Sequence, residues 1–313
     1  MRDAWQKRGL LIAAPPPLPW ASSHAALPCV DARPGGQLDL YYSPRDEHGR
    51  AHVACARIEA DAARGELALV EHAAEPALSP GHLGTFDESG TTVSCVVRSG
   101  GDTFLFYTGW TLGVTVPFYF YAGLAIRADG EREFTRHSEA PLLERNTVDP
   151  YLTASPWVLR ESDGLWRMWY VSCSDWRMRG GTPQHRYNIR YAESDDGVDW
   201  RRDGLVSIDF ANDAEYALAR PCVIRDGERY RMWFAARGDS YRLAYAESDD
   251  GIVWRRDDAA AGLEPSESGW DSEMVEYPSV LDHDGCRYLL YNGNDYGRTG
   301  VGYAVADAQA DAG

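Results

Sequence analysis

Tyr187–Asp203 reads YNIRYAESDDGVDWRRD and Tyr241–Asp257 reads YRLAYAESDDGIVWRRD, two stretches that agree at 12 of 17 positions. Each is the tail of a longer unit that runs through the chain five times. The unit starts as a strand, turns at a glycine and returns along an aromatic-rich strand. Its copies are LPCVDARPGGQLDLYYS, VSCVVRSGGDTFLFYTG, SPWVLRESDGLWRMWYVS, RPCVIRDGERYRMWFAA and YPSVLDHDGCRYLLYNG. Their turn glycines, Gly36, Gly101, Gly164, Gly227 and Gly285, are separated by 65, 63, 63 and 58 residues. Strands repeating at a fixed spacing signal a radial or solenoid architecture. Hairpin turns without a helical period predict an all-β fold, a five-bladed β-propeller of four-stranded antiparallel blades around a central funnel. Repeats spread over most of 313 residues predict one domain, 1–313. Within residues 1–20, the strand-like Gly9–Ala14 is placed to complete the last blade. The tail, 307–313, reads as frayed.

Composition narrows the partners. With 31 basic and 48 acidic residues the net charge is −17. Nucleic acid and anionic membranes both require a basic face, so neither is an expected partner. No stretch approaches the ~20 apolar residues of a membrane span. The apolar run Leu10–Ala14 after Lys7 and Arg8 stops at Pro15–Pro17, too short for a secretory core. The six cysteines form no CxxC pair. Cys29, Cys95 and Cys222 hold one place in three repeats, which predicts separated, buried, reduced thiols and a cytoplasmic protein.

Scaffold positions repeat and functional positions break the repeat. The copies differ most between their second and third strands: Arg237-Gly238-Asp239, the longer Ser172–Arg186 with Asp175, Trp176 and His185, and the aromatic Gly109–Tyr121. Aligning the strand entrances on Pro28, Ser94, Pro156, Pro221 and Pro278 places acids upstream of four of them. These are Asp87 with Glu88, Asp149, Glu215, and Asp271 with Glu273; the first repeat has His24 instead. Glu276, Tyr277 and Arg220 stand at the strand mouths. Acids that converge on an axis raise one another's pKa, which is how a carboxyl becomes a proton donor near neutrality. The plainer reading is strand-end polar groups that satisfy backbone or face water. A carboxylate ring with His24 also suits a divalent cation. No spacing is ligand-specific, so no cofactor is expected beyond that axial option. Arg45, Arg220 and Arg237 either pair with these acids or grip a carboxylate, phosphate or sulfate of a substrate. Trp110, Trp176 and Tyr296 either stack on a sugar or plug loops. Asn292 and Asn294, in NGNDYGRTGVGYA, have amides suited to hydroxyls. No phosphate loop, GxSxG or HExxH is present.

The segments HAALP, GTFDESG, DPYLTASPWVL, YAESDDGxxW, ARPCVIRDG, GWDSEMVEYPSV and YNGNDYGRTGVGYA resemble the five-bladed propeller superfamily of arabinanases, levansucrases and invertases. This includes glycoside hydrolase family 43, and the likeness is to a bacterial branch encoded with sugar, polysaccharide or secondary-metabolite pathways. It runs from about Gly9 to Ala306. It implies three acids from the first three blades: a base or nucleophile, a pKa modulator and a general acid. By position the modulator falls at Asp87 and the third acid at Asp149, where the family usually has Glu; the first place is taken by His24. The expectation is an enzyme that acts on a glycoside or sugar-derived small molecule by general acid–base catalysis. His24 and Glu215 would transfer protons, and Asp87, Asp149 and Glu273 would modulate or bind. Arg220 and Arg237 would hold an anionic group. The alternatives are a repurposed lyase, cyclase or transferase tailoring a natural product, and a non-catalytic carbohydrate-binding propeller.

Overall fold

Nearly all the regular structure is strand, because the repeats alternate apolar and polar residues between glycine turns. The computed structural model describes residues 5–33 and 35–307. The strands are β1 (Gln6–Ala13), β2 (Ser23–Ala32), β3 (Leu38–Arg45), β4 (Ala54–Asp61), β5 (Glu66–His72), β6 (Gly90–Ser99), β7 (Asp102–Leu112), β8 (Phe118–Arg127), β9 (Thr135–Arg136), β10 (Thr153–Arg160) and β11 (Trp166–Arg179). They continue as β12 (Thr182–Ser194), β13 (Trp200–Arg201), β14 (Val206–Ile208), β15 (Ala217–Asp226), β16 (Arg229–Arg237), β17 (Tyr241–Ser248), β18 (Arg255–Arg256), β19 (Glu276–His283), β20 (Cys286–Asn292) and β21 (Gly300–Asp307). Three sheets have four strands: β2-β3-β4-β5, β6-β7-β8-β9 and β1-β21-β20-β19. Thus β1, which contains most of Gly9–Ala14, is the outer strand of the last repeat. Residues 308–313, most of the tail expected to fray, lie outside the described residues.

Repeats three and four depart from the expected separate four-stranded blades. Their strands share one nine-stranded sheet, joined by a single parallel pair, Tyr187 opposite Ala217. The segment Ser172–Arg186 is also mostly not a loop. Strands β11 and β12 stay paired out to Arg179 and Thr182, and Gly180 and Gly181, both at positive φ, make the turn.

The first strand of each repeat is the inner one. Contacts run β2 to β6, β6 to β10, β10 to β15, β15 to β19 and back from β19 to β2, the arrangement of a propeller. The second strands supply the buried aromatics between sheets, among them Tyr41, Phe106, Trp169 and Trp233. The SDDG corners add the outer clasp. Ser194 Oγ accepts the amides of Asp196 and Gly197, and Asp196 Oδ1 accepts those of Val198 and Asp199; Ser248 and Asp250 repeat the pattern. Those amides hold both aspartates, Asp196 and Asp250, below the usual carboxylate range. Trp200 then meets Phe106 edge-on at 6.2 Å, and Trp254 meets Trp169 at 5.9 Å, each joining one repeat to the one before.

The cysteines contradict the expectation of separation. Cys29, Cys95 and Cys222 lie close enough for their charges to interact, around the Arg220 guanidinium. Cys95 Sγ accepts the amide of Val158 at 3.2 Å and Cys222 Sγ that of Val280 at 3.1 Å, each in the next repeat. In repeat three Trp157 holds this place, and its indole donates to the Val223 carbonyl at 2.8 Å. Equivalent inner-strand positions meet because the inner strands surround a narrow centre.

Arg220 fills that centre. It is 1% exposed and reaches from β15 to carbonyls of Pro28 (2.7 Å), Val93 (3.1 Å) and Ser94, stacking over Trp157 at 5.6 Å. It joins four repeats and is not open to a substrate anion, contrary to the role expected of it.

Candidate active site

The inner strands bend at one repeated place. The residue before each of the four entrance prolines, Leu27, Ser155, Arg220 and Tyr277, has a φ between 46 and 56°. The ladder slips there, between Ala26 and Cys29, Ala154 and Trp157, Ala219 and Cys222, and Glu276 and Ser279. A residue before proline normally takes an extended conformation. A left-handed one is strained by roughly 1–3 kcal/mol and is tolerated as a bulge that re-aims side chains. His24, at φ 61°, marks a second bulge in β2.

These bends do not bring the upstream acids together. Asp87 is fully buried, accepting from Arg136 Nε (2.8 Å), Tyr107 (3.0 Å) and Thr85 (3.0 Å). Asp149 accepts from Arg202 (2.8 Å), Arg190 (3.3 Å), Tyr170 (3.0 Å) and Ser172 (2.6 Å). Glu215 takes both Arg256 nitrogens, at 2.9 and 2.6 Å, and the Ala211 amide. Asp271 takes Lys7 at 2.6 Å and Tyr291 at 2.9 Å; although burial acts the other way, those partners leave its carboxyl below the usual range. The pattern is an acid, a cation from the outermost strand or its corner and, in three cases, a second-strand tyrosine. It clamps each repeat to itself, so these acids do not converge on one another in the way expected from sequence. Among the described residues no group of three His, Cys, Asp or Glu is placed to hold a metal, so the acids do not form the axial cation ring considered from sequence.

Other expected site residues are fasteners. Asn292 accepts the Leu27 amide and donates to the Ala25 and Gly300 carbonyls. Asn294 accepts the amides of Glu273 and Met274. Neither side chain is free for the hydroxyl binding expected of it. The Glu273 side chain is exposed. Glu88 caps the Gly84 amide at 2.6 Å. Trp176 packs on Phe118 at 5.7 Å and on His185.

A different set converges at the mouth: His24, Arg45, Arg237, Glu276, Tyr277 and Tyr296, joined by Asp295 and Arg298. Glu276, the first residue of β19, is fully buried, and neither carboxylate oxygen closes a well-formed hydrogen bond. Burial drives its carboxyl well above the usual range, and the charge of Asp295 adds to the rise. Arg237, the Tyr277 hydroxyl and the Tyr296 amide oppose it. Arg237 is caged, its guanidinium 5.2, 5.3 and 5.3 Å from the rings of Tyr216, Tyr241 and Tyr296. His24 shares a 2.8 Å hydrogen bond with Ser23. Burial, then Arg45 and Arg298, lower its pKa to about 4, with Asp295 opposing, so the imidazole is neutral near pH 7. Arg45 lies over Trp110 at 5.9 Å. Asp295 and Tyr296 are both left-handed, at φ 59 and 58°. Their turn is seated by Gly297, where an added Cβ would lie 2.8 Å from the Ala26 backbone.

The uncharacterized proteins MT1551 and Rv1502, from Mycobacterium tuberculosis strains CDC 1551 / Oshkosh and ATCC 25618 / H37Rv, are each 41% identical to the chain over 304 residues. The match covers 97% of this chain and 99% of theirs. The chain belongs to their family. Among solved structures, a glycoside hydrolase matches the fold with a TM-score of 0.74 at 17% identity, over 98% of this chain and 92% of its own. A thermostable family-43 glycoside hydrolase matches at 0.61 and 15% identity, over 94% and 91%. The fold is that of the family-43-like glycoside hydrolase propellers, as the sequence resemblance implied. The chain matches no protein-family model.

In this propeller the sequence reading missed Asp295, Arg298, Tyr216 and Tyr241 as mouth residues. The first two lay in plain view in NDYGRTG, the charged turn of the last repeat. The tyrosines showed no signal, because a cage around Arg237 depends on three separate segments.

Proposed function

We propose that the chain is an enzyme that cleaves a glycoside or a related sugar-derived small molecule by general acid–base catalysis at the mouth. Glu276 is the proton donor. What supports this above all is a fully buried carboxyl at the strand mouth whose oxygens close no well-formed hydrogen bond, in a group shifted toward its protonated form. Asp295 is the second carboxyl that hydrolysis requires, as base or nucleophile. His24 is a neutral acceptor, and Tyr277 with Tyr296 positions Glu276. Glu215, expected from sequence to transfer protons, is instead clamped by Arg256. Asp87 and Asp149 support their own repeats.

The same reading takes the architecture as five blades in one domain; the cyclic contacts of the five inner strands support that count. It takes the setting as cytoplasmic, in keeping with six free cysteines. No described helix is long and apolar enough to cross a membrane.

The test is hydrolysis of a panel of aryl glycosides by the wild type, Glu276→Gln and Glu215→Gln. Glu276→Gln is expected to lose activity by about 10²–10⁴-fold, while Glu215→Gln keeps turnover per folded molecule. Full activity in Glu276→Gln sinks the assignment. A second reading, a lyase, cyclase or transferase, is favoured by one observation: a neutral His24 replaces the first acid. An unsaturated or transferred product, identified by mass spectrometry, would select it.

A further inference from the structure

In a chain carrying −17, cations find carboxylates easily. Arg136, Arg202 and Arg256 each hold one at 2.6–2.8 Å. Arg45, Arg237 and Arg298 form no ion pair with any described residue. Arg237 is fixed by its tyrosine cage, yet its buried Nε has no acceptor. A buried polar atom without a partner calls for an explanation such as an unseen ligand. Arg45 is half-buried against Trp110. It is close enough to Arg298 for each charge to act on the other, and both act on His24. Asp295 is the opposing charge at His24, and it is exposed. A half-buried cation such as Arg45 beside a second one is unfavourable unless an anion joins them. Guanidinium forks suit a tetrahedral oxyanion, which offers several oxygens in different directions.

We propose that the mouth binds a phosphate-type oxyanion between Arg45, Arg298 and Arg237, either as an ester on the sugar or as free phosphate seated beside it. This rests on the mouth being the substrate site, but not on Glu276 being the acid. Arg220, expected from sequence to share this role, is replaced by Arg45 and Arg298.

The experiment is titration calorimetry of the full chain with inorganic phosphate, a hexose 6-phosphate, the matching neutral hexose and sulfate. It is repeated with Arg45→Met and with Arg298→Gln, whose exposed side chain makes misfolding no obstacle. The expected result is binding of phosphate or the hexose phosphate, weakened about tenfold or more by either substitution. Binding of inorganic phosphate alone assigns the free ion; binding of the hexose phosphate alone assigns the ester. The proposal is overturned if no oxyanion binds better than the neutral hexose, or if neither substitution weakens binding. Cleavage of neutral glycosides without oxyanion binding would sink this proposal and leave the acid–base reading intact. Oxyanion binding by a chain that turns over no glycoside would do the reverse.

Discussion

Glu276 and Asp149 are both fully buried acids near the start of an inner strand, yet their surroundings differ in kind. Asp149 has two arginines and two hydroxyls on its oxygens, whereas Glu276 has no well-formed hydrogen bond. A buried acid with no paired cation within bonding distance favours its neutral form, which is why the proton-donor role is proposed for Glu276. The signs follow. Glu276's raised pKa adds stability that is fully present below its ordinary 4.5 and is lost as pH rises through the raised value. Activity should fall over the same alkaline range, and a pH–rate profile checks it. His24's lowered pKa adds stability that is fully present above its ordinary 6.5 and is lost as pH falls toward about 4. His24→Asn should therefore flatten part of the acid limb in a plot of Tm against pH. An unchanged limb would mean that His24 is not the buried neutral group described. The sequence reading named both, Asp149 among the upstream acids expected to modulate or bind and Glu276 only at a strand mouth, because the hydrogen-bond partners that separate them leave no mark in sequence.

At the scale of the element, the clamp is the lesson. Arg136 lies 49 residues beyond Asp87, Arg202 53 beyond Asp149 and Arg256 41 beyond Glu215. Each cation sits two residues after the corner aromatic, Phe134, Trp200 or Trp254. Acid and arginine thus recur together, and that pairing was legible in the repeats. Reading the acids alone gave a converging ring; reading both gives a brace. Asp149→Ala should lower unfolding free energy by about 3–5 kcal/mol, since it takes from Arg202 and Arg190 the buried carboxylate they share and leaves Arg202 only the exposed Glu144 as an ion partner among the described residues. Denaturant titration measures it, and a loss under about 1 kcal/mol would show the brace to be ornamental. The turn at Asp295–Gly297 behaves differently. Gly297→Ala must displace it from Ala26, so catalytic rate should drop far more than Tm; equal losses would mean that the turn serves the fold alone.

Across the whole molecule, the glycine turns and aromatic strands made the architecture readable, because every repeat must bury the same face against a neighbour. The merged sheet of repeats three and four was not readable: it hangs on one parallel pair, Tyr187 with Ala217, which leaves no mark in local pattern. The outer strand β1 ties the start of the chain to its end, with Lys7 reaching Asp271 at 2.6 Å across 264 residues. Deleting residues 1–13 should uncover the β21 edge, lower Tm and promote aggregation, seen by light scattering; an unchanged, monodisperse variant would argue against this. The Arg220 plug has its own consequence for traffic. Its guanidinium is bound to three carbonyls across the centre, so a substrate site at the mouth, as proposed, would be a cul-de-sac. Whatever leaves must use the entrance through which its successor arrives, so product should compete with substrate, and progress curves should bend early with a competitive pattern.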